Sequence, residues 1–210
     1  GKFMNTVEEY IHKLNSKSHI LSKEEFEKNT ALKYYCPVID TEVARFLQII
    51  IQAIRPKNIL ELGTSIGYST TMMAFAADKC GAKITTIEKD RAAAYAAQEN
   101  FKKYKVDHII SLINEDVFSI LPKLKQEYDL LFLDLYNGLY PEVLDGCIDA
   151  LKIGGMLIAD DTLFPITQKK VFFENSNKKI EEFNKVLSKR NDMNSFLLPL
   201  DDGITIAIKQ

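Results

Sequence analysis

Ile59-Leu60-Glu61-Leu62-Gly63-Thr64-Ser65-Ile66-Gly67-Tyr68-Ser69 reads as a strand that runs into a small-residue turn and then opens a helix. Gly63 and Gly67 permit close backbone approach. The free N–H groups of the new helix, with the Ser69 hydroxyl, can receive a carboxylate. Taken alone the turn is weak evidence, because any strand-to-helix turn can need glycine for packing.

Outward from this stretch, short β-branched runs alternate with helical patterns, which marks a mostly parallel sheet covered on both faces. The runs predict strands at 58–63, 83–88, 109–114, 128–134 and 156–160, and helices at 66–80, 90–104, 139–152 and 178–190. Phe196-Leu197-Leu198-Pro199-Leu200 and Ile204-Thr205-Ile206-Ala207-Ile208, joined by Asp201-Asp202-Gly203, predict a closing antiparallel hairpin. That ending points to a doubly wound, seven-stranded α/β sheet of the class I methyltransferase type, Rossmann-like, rather than to a plain dinucleotide-binding fold. Helices at 6–14, 23–33 and 42–54 come first. The expected organisation is one domain over 1–210, with 1–55 a helical cap on an α/β core of 56–210. The polar stretch Glu174-Asn175-Ser176-Asn177 reads as a mobile loop.

The second to fifth strands then each end near an acid. Glu88 closes the second strand, where a carboxylate can accept both hydroxyls of a ribose. Asp116, past the third, can meet an adenine amine or cap the next short helix, and Val117 can pack on the ring face. With the carboxylate-receiving turn, these positions suit S-adenosylmethionine. Asp134 closes the fourth strand and Asp160-Asp161 the fifth, so three carboxylates should converge beside the methyl donor. Such a cluster repels itself unless neutralised, and all-oxygen ligands suit a hard divalent cation such as Mg²⁺. A cation there would hold two vicinal oxygens of a diol or catechol and aim one at the sulfonium methyl, which is O-methylation. Helix capping or surface charge is the plainer alternative for these acids.

Composition bounds the rest. With 210 residues, 46% of them hydrophobic, the chain can bury a full core, and a net charge of −2 gives no overall basic field of the kind nucleic-acid binders show. No apolar stretch approaches the roughly 20 residues of a membrane span, and the amino-terminal segment lacks the apolar core of a secretion signal. A soluble cytoplasmic protein without membrane contact is expected. Cys36, Cys80 and Cys147 are too scattered for a disulfide framework or zinc site, and His12, His19 and His108 have no partners at metal-ligand spacing.

With these residues in hand, the chain resembles the cation-dependent O-methyltransferases, the family of catechol and caffeoyl-coenzyme A O-methyltransferases and their small bacterial relatives. The resemblance rests on Pro37-Val38-Ile39-Asp40, the turn from Leu60 to Ser69, Thr86-Ile87-Glu88-Lys89, Phe132-Leu133-Asp134 with Tyr140, Gly154-Gly155 leading to Asp160-Asp161, and Leu200-Asp201-Asp202-Gly203. It implies that Glu61, Gly63, Ser65, Tyr68, Ser69, Glu88, Asp116, Val117 and Asp134 line the cofactor site. It also implies that Asp134, Asp160 and Asp161 hold the metal, that Asp134 and Asn137 occupy the catalytic positions, and that the chain pairs as a homodimer. Two residues depart from the family's pattern. Asp161 stands where the third ligand is usually Asn, and Asn137 stands where a lysine commonly acts on the acceptor hydroxyl. Asn137 cannot take a proton, so deprotonation would fall to metal activation and water, or to another group.

The expected reaction is methyl transfer to a hydroxyl of a catechol-like or vicinal-diol small molecule. Two other readings compete. Bacterial relatives methylate a hydroxylated wobble uridine in transfer RNA, and Lys169-Lys170, Lys178-Lys179 and Lys189-Arg190 could form a phosphate-facing patch. A non-catalytic S-adenosylmethionine-binding protein would keep the fold and lose turnover with Asn137. A dinucleotide oxidoreductase fits less well, because the turn lacks Gly-x-Gly-x-x-Gly spacing.

Overall fold

Successive residues of the strands point to opposite faces of the sheet, and each face is covered by helices. The computed structural model describes the backbone from Lys2 to Gln210 and side chains from Val7 onward. In chain order the elements are α1 (Lys2–Asn15), α2 (Lys23–Lys28), α3 (Thr41–Ile54), β1 (Asn58–Leu62), α4 (Tyr68–Lys79), β2 (Lys83–Ile87), α5 (Arg91–Lys103), β3 (Ile110–Ile113) and α6 (Val117–Ile120). They continue with β4 (Tyr128–Leu133), α7 (Tyr140–Ala150), β5 (Leu151–Asp160), α8 (Phe164–Thr167), α9 (Glu174–Lys189), β6 (Met193–Leu198) and β7 (Ile204–Lys209). The seven strands form one sheet in the order β3-β2-β1-β4-β5-β7-β6. The first five run parallel, and β7 pairs antiparallel with both β5 and β6. This is the class I methyltransferase arrangement that the strand pattern and closing hairpin predict.

Alternation sorts the core into two layers. Ile59, Ile84, Leu130, Phe132 and Ile158 meet Phe26, Val43, Leu47, Tyr68, Met72 and Phe101 on one face. Leu60, Leu62, Leu131, Leu133 and Leu157 meet Val143, Leu144, Ile148, Ile180 and Phe183 on the other. The chain leaves β1 toward β2 and β3, then returns to add β4 and β5 on the other side. The carboxyl ends of β1 and β4 therefore flank the point where winding reverses, which is where open α/β sheets bind ligands.

Three expectations need correction. The segment at 174–177, read as a mobile loop, is the first turn of α9. Its Asn and Ser residues favour loops when judged locally. The buried Ile180, Phe183 and Leu187 dock the helix, Ser176 is itself buried, and Glu174 pairs with Lys178 at 3.0 Å in the favourable i, i+4 order. The second helix, expected to reach 33, stops at Lys28, where the Asn29 N–H closes on the Glu25 and Phe26 carbonyls and Thr30 donates back to Phe26. The helix expected over 139–152 gives way to strand after Ala150, because Leu151 pairs with Tyr128 before the register shifts.

Phe26 ties the amino-terminal segment to the sheet. Its ring is fully buried between Tyr68, at a centroid distance of 5.2 Å, and Tyr104, stacked at 5.4 Å. Phe26→Ala should cost about 3–5 kcal/mol, read as a lower urea midpoint with an unchanged slope. A loss below about 1 kcal/mol would mean that the segment does not depend on this ring.

Candidate active site

Gly63 ends β1 with φ +101, and a Cβ there would lie 2.1 Å from the Asp134 carbonyl oxygen. Only glycine fits, because the turn from β1 and the end of β4 touch backbone to backbone. The Asp134 N–H donates to the Leu62 carbonyl at 2.9 Å, and the Gly63 N–H to the Ile87 carbonyl at 3.0 Å. Ser65, in the left-handed region at φ 51, donates its N–H to Glu88 Oε1 at 2.8 Å and its hydroxyl to the Cys36 carbonyl at 2.7 Å. Glu88 Oε2 accepts the Asp90 N–H at 2.9 Å. The carboxylate at the end of β2 is thereby fixed by backbone on both oxygens, with lone pairs left for a diol.

Two supports of this turn lie outside the predicted site. Asn100, buried on α5, donates to the Ile66 carbonyl at 2.9 Å, and Asn114 donates to the Glu88 and Lys89 carbonyls at 2.8 and 3.2 Å. Neither has a local signal, since each acts across a long sequence gap. Asp116 is exposed and caps α6 by accepting the Phe118 N–H at 2.8 Å, while Val117 is buried beneath it.

Two residues expected to line the turn hydrogen-bond to other parts of the protein. The Tyr68 ring is in the core and its hydroxyl donates to the Leu21 carbonyl at 2.9 Å. The Ser69 hydroxyl does not wait for a ligand carboxylate: it donates to Glu61 Oε2 at 2.5 Å. Glu61 itself is fully buried in the middle of β1. Burial pushes its carboxyl up to about 7, against the lowering effect of hydroxyl donors from Ser69, Thr70 and Thr86, with the Glu88 charge adding to the rise.

Across the crevice, Asp134, Asp160 and Asp161 each offer a carboxylate oxygen, all within 4.8 Å of one another. Asp160 is 4% exposed and its Oδ1 has no hydrogen-bond partner. Burial raises all three carboxyls above the ordinary range, and the Asp161 charge adds to the rise at Asp134 and Asp160. Asp161, at φ 65, rises to about 7 through burial and the Asp202 charge. Asn137 is buried, and its amide nitrogen, in the orientation that satisfies it, lies 3.3 Å from both Asp161 Oδ2 and the Leu135 carbonyl. Its amide opposes the rise at Asp161. An orphaned buried carboxylate oxygen beside two more carboxylates is the donor set of a hard divalent cation.

Asp40, Asp201 and Asp202 form an outer group that sequence reasoning quoted as motif without giving it a task. Burial and a hydrogen bond shared with the Asp40 carboxyl bring Asp201 up to about 7. The Asp202 carbonyl accepts the Leu163 N–H at 2.7 Å, anchoring the segment after Asp161 to the closing hairpin. On the rim, the Tyr136 ring lies over Gly138, and its hydroxyl meets the Asn175 amide at 3.4 Å. Phe164, Phe173 and Phe172 follow edge to face at 5.7 and 5.1 Å. A surface hollow of about 810 Å³ between the segment after α2 and α5 is lined by Asn29, Leu32, Tyr95 and Asn100 and contains none of these acids. Chemistry rather than volume marks the site.

The sequence profile of the O-methyltransferase family matches residues 13–210. The catechol O-methyltransferase of Niastella koreensis is 31% identical over 177 residues, covering 78% of each chain. Tapetum-specific methyltransferase 1 of Arabidopsis thaliana is 31% identical over 182 residues, covering 80% of this chain and 76% of that one. The S-adenosylhomocysteine-bound methyltransferase PaMTH1 of Podospora anserina superposes with a TM-score of 0.86 at 22% identity, over 98% of this chain and 96% of that one. A family match across nearly the whole chain, on a sheet whose reversal point carries this crevice, means that the chain belongs to the S-adenosylmethionine-dependent O-methyltransferases.

Proposed function

We propose that the protein methylates one hydroxyl of a catechol-like or vicinal-diol small molecule, with Mg²⁺ held by Asp134, Asp160 and Asp161. The observation that carries this reading is the trio of carboxylate oxygens within 4.8 Å, one of them buried and unpartnered on Asp160. A divalent cation bound there supplies Lewis-acid chemistry that lowers the pKa of an acceptor hydroxyl. The chain's own residues do the rest. The turn at Gly63 and the first N–H groups of α4 receive the methionine carboxylate of the donor, Glu88 takes the ribose hydroxyls, and Asp116 with Val117 flanks the adenine. The Gly63–Asp134 contact holds donor and acceptor sides adjacent, which supports in-line attack. The acceptor oxygen attacks the methyl carbon, the carbon–sulfur bond breaks, S-adenosylhomocysteine leaves, and the hydroxyl proton passes to water because Asn137 cannot accept it.

The names of two relatives agree with a small aromatic acceptor: the Niastella catechol enzyme, and the caffeoyl-CoA O-methyltransferase of Stellaria longipes, 28% identical over 173 residues. An RNA acceptor has less support, because much of the basic set is already paired. Lys178 meets Glu174 at 3.0 Å, Lys179 meets Glu182 at 3.8 Å, and Arg190 bridges Asp145 and Asp192 at 2.5 and 2.9 Å. Among the described residues, no helix is long and apolar enough to cross a membrane.

Methyl-labelled S-adenosylmethionine and catechol should give labelled product with Mg²⁺ and almost none with a chelator. Transfer indifferent to the chelator would overturn the metal's part, and no transfer despite confirmed cofactor binding would overturn the acceptor class. Asp160→Asn should lower kcat/KM at least about 100-fold, since a Lewis-acid cation contributes several kcal/mol. Independently of activity, Mg²⁺ at about 100 times its Kd should stabilise the wild type by about 2.7 kcal/mol, a rise of about 5–10 °C in Tm for a domain of this size. Asp160→Asn should lose most of that rise, and an equal rise in both proteins would place the cation elsewhere.

A further inference from the structure

Glu61 is the most deeply buried acid in the cofactor half of the crevice, and it is neutralised by hydroxyls alone. Its Oε2 accepts from Ser69 at 2.5 Å, and its Oε1 accepts from Thr86 at 2.8 Å and also from Thr70. Thr86 Oγ1 lies 2.6 Å from Thr64 Oγ1. A hydroxyl has one proton to give, and Thr86 gives its proton to Glu61, so Thr64 must be the donor in that pair. The result is a directed chain, Thr64 to Thr86 to Glu61, with Ser69 and Thr70 converging on the same carboxylate. All five residues are buried.

These residues come from four places that the donor site needs in register. Thr64 follows Gly63 in the turn, Ser69 and Thr70 lie in the first turn of α4, Thr86 is two residues before Glu88, and Glu61 is in β1 opposite Thr86 in the parallel pairing. An apolar residue at position 61 would suit the surrounding core, whereas a buried carboxylate is costly unless fully hydrogen-bonded. Such a carboxylate fixes its donors in direction as well as distance, which apolar packing does not.

We infer that Glu61, acting through Thr64, Thr70 and Thr86, positions the methyl donor by locking the cofactor turn, the start of α4 and the Glu88 strand end into one arrangement. Thr64, Thr70 and Thr86 are then positioning residues for the transfer. The inference rests on the assignment of this turn to S-adenosylmethionine, and it is independent of the acceptor and the metal.

The test uses the full chain and S-adenosylhomocysteine as the calorimetric probe, with no acceptor or cation present. Thr86→Val keeps the shape and removes both links, and should raise the probe's Kd about tenfold; in a separate turnover assay with catechol and Mg²⁺, the KM for S-adenosylmethionine should rise by a similar factor, with a smaller effect on kcat and none on the KM for catechol. Thr86→Ser, which restores the hydroxyl, should return both values to within about twofold of wild type. Thr64→Val removes only the outer link, gives a second route should Thr86→Val fold poorly, and should produce a smaller rise. Because the links are in series, the double variant should bind no worse than Thr86→Val alone. Unchanged probe affinity in Thr86→Val and Thr64→Val, with only a lower Tm, would overturn the inference and leave the hydroxyls a packing role. Absence of probe binding by the wild type would sink the cofactor assignment itself, a different outcome from either.

Discussion

The contact between Gly63 and the Asp134 carbonyl is the constraint on which the rest of the site depends. Two parallel strands end together because the Asp134 N–H reaches the Leu62 carbonyl, and the chain then has to leave β1 across the end of β4 with no room for a side chain. One backbone crossing therefore sets the separation between the turn that receives the donor and the first carboxylate of the acidic trio. A rearrangement on one side would have to move the other, so donor and acceptor geometry are set by the sheet rather than by flexible loops.

The crevice solves one electrostatic problem in two ways. Glu61 and Asp160 are buried and Asp134 and Asp161 are partly buried, and burial pushes every one of them above the ordinary carboxylate range. Glu61 is met by three hydroxyl donors and needs nothing more. Asp160 Oδ1 is met by none. That asymmetry, more than the clustering of charge, separates an acid already met by donors from acids that would suit a cation, because a buried carboxyl oxygen without donors must either hold a proton or sit beside a positive charge.

Much of the fold was legible because its determinants are local and periodic. Strand runs, strand-end acids and the Asp-Gly step of the closing hairpin can each be read within a few residues, and Gly63 makes the close backbone approach that its place in the turn suggested. The misread pieces share a different cause. Glu174 to Asn177 are polar enough for a loop, and only the docking of Ile180 and Phe183 makes them helix. No local pattern says that Glu61 lies within reach of the Ser69 hydroxyl, or that the Tyr68 ring meets Phe26 from a distant helix. The grouping of Asp40 with Asp201 and Asp202, and the support from Asn100 and Asn114, are likewise products of tertiary proximity.

Asn137 and Asp161 are best understood as a pair. Against the lysine and asparagine that the resemblance implies, they remove one positive charge and add one titratable carboxyl, itself raised to about 7, at the place proposed for the cation. The Asn137 amide does not compensate by charge: it donates to Asp161 and to the Leu135 carbonyl, which holds the Asp161 carboxyl in direction. A more negative ligand set binds a divalent cation more strongly and withdraws less electron density from an acceptor held beside it. On the proposed metal-assisted reading, affinity for the cation and acidification of the hydroxyl pull in opposite directions, and such a site would be best matched by acceptors whose hydroxyl is already acidic. A catechol meets that demand better than an aliphatic diol, because its oxygen charge is shared with the ring.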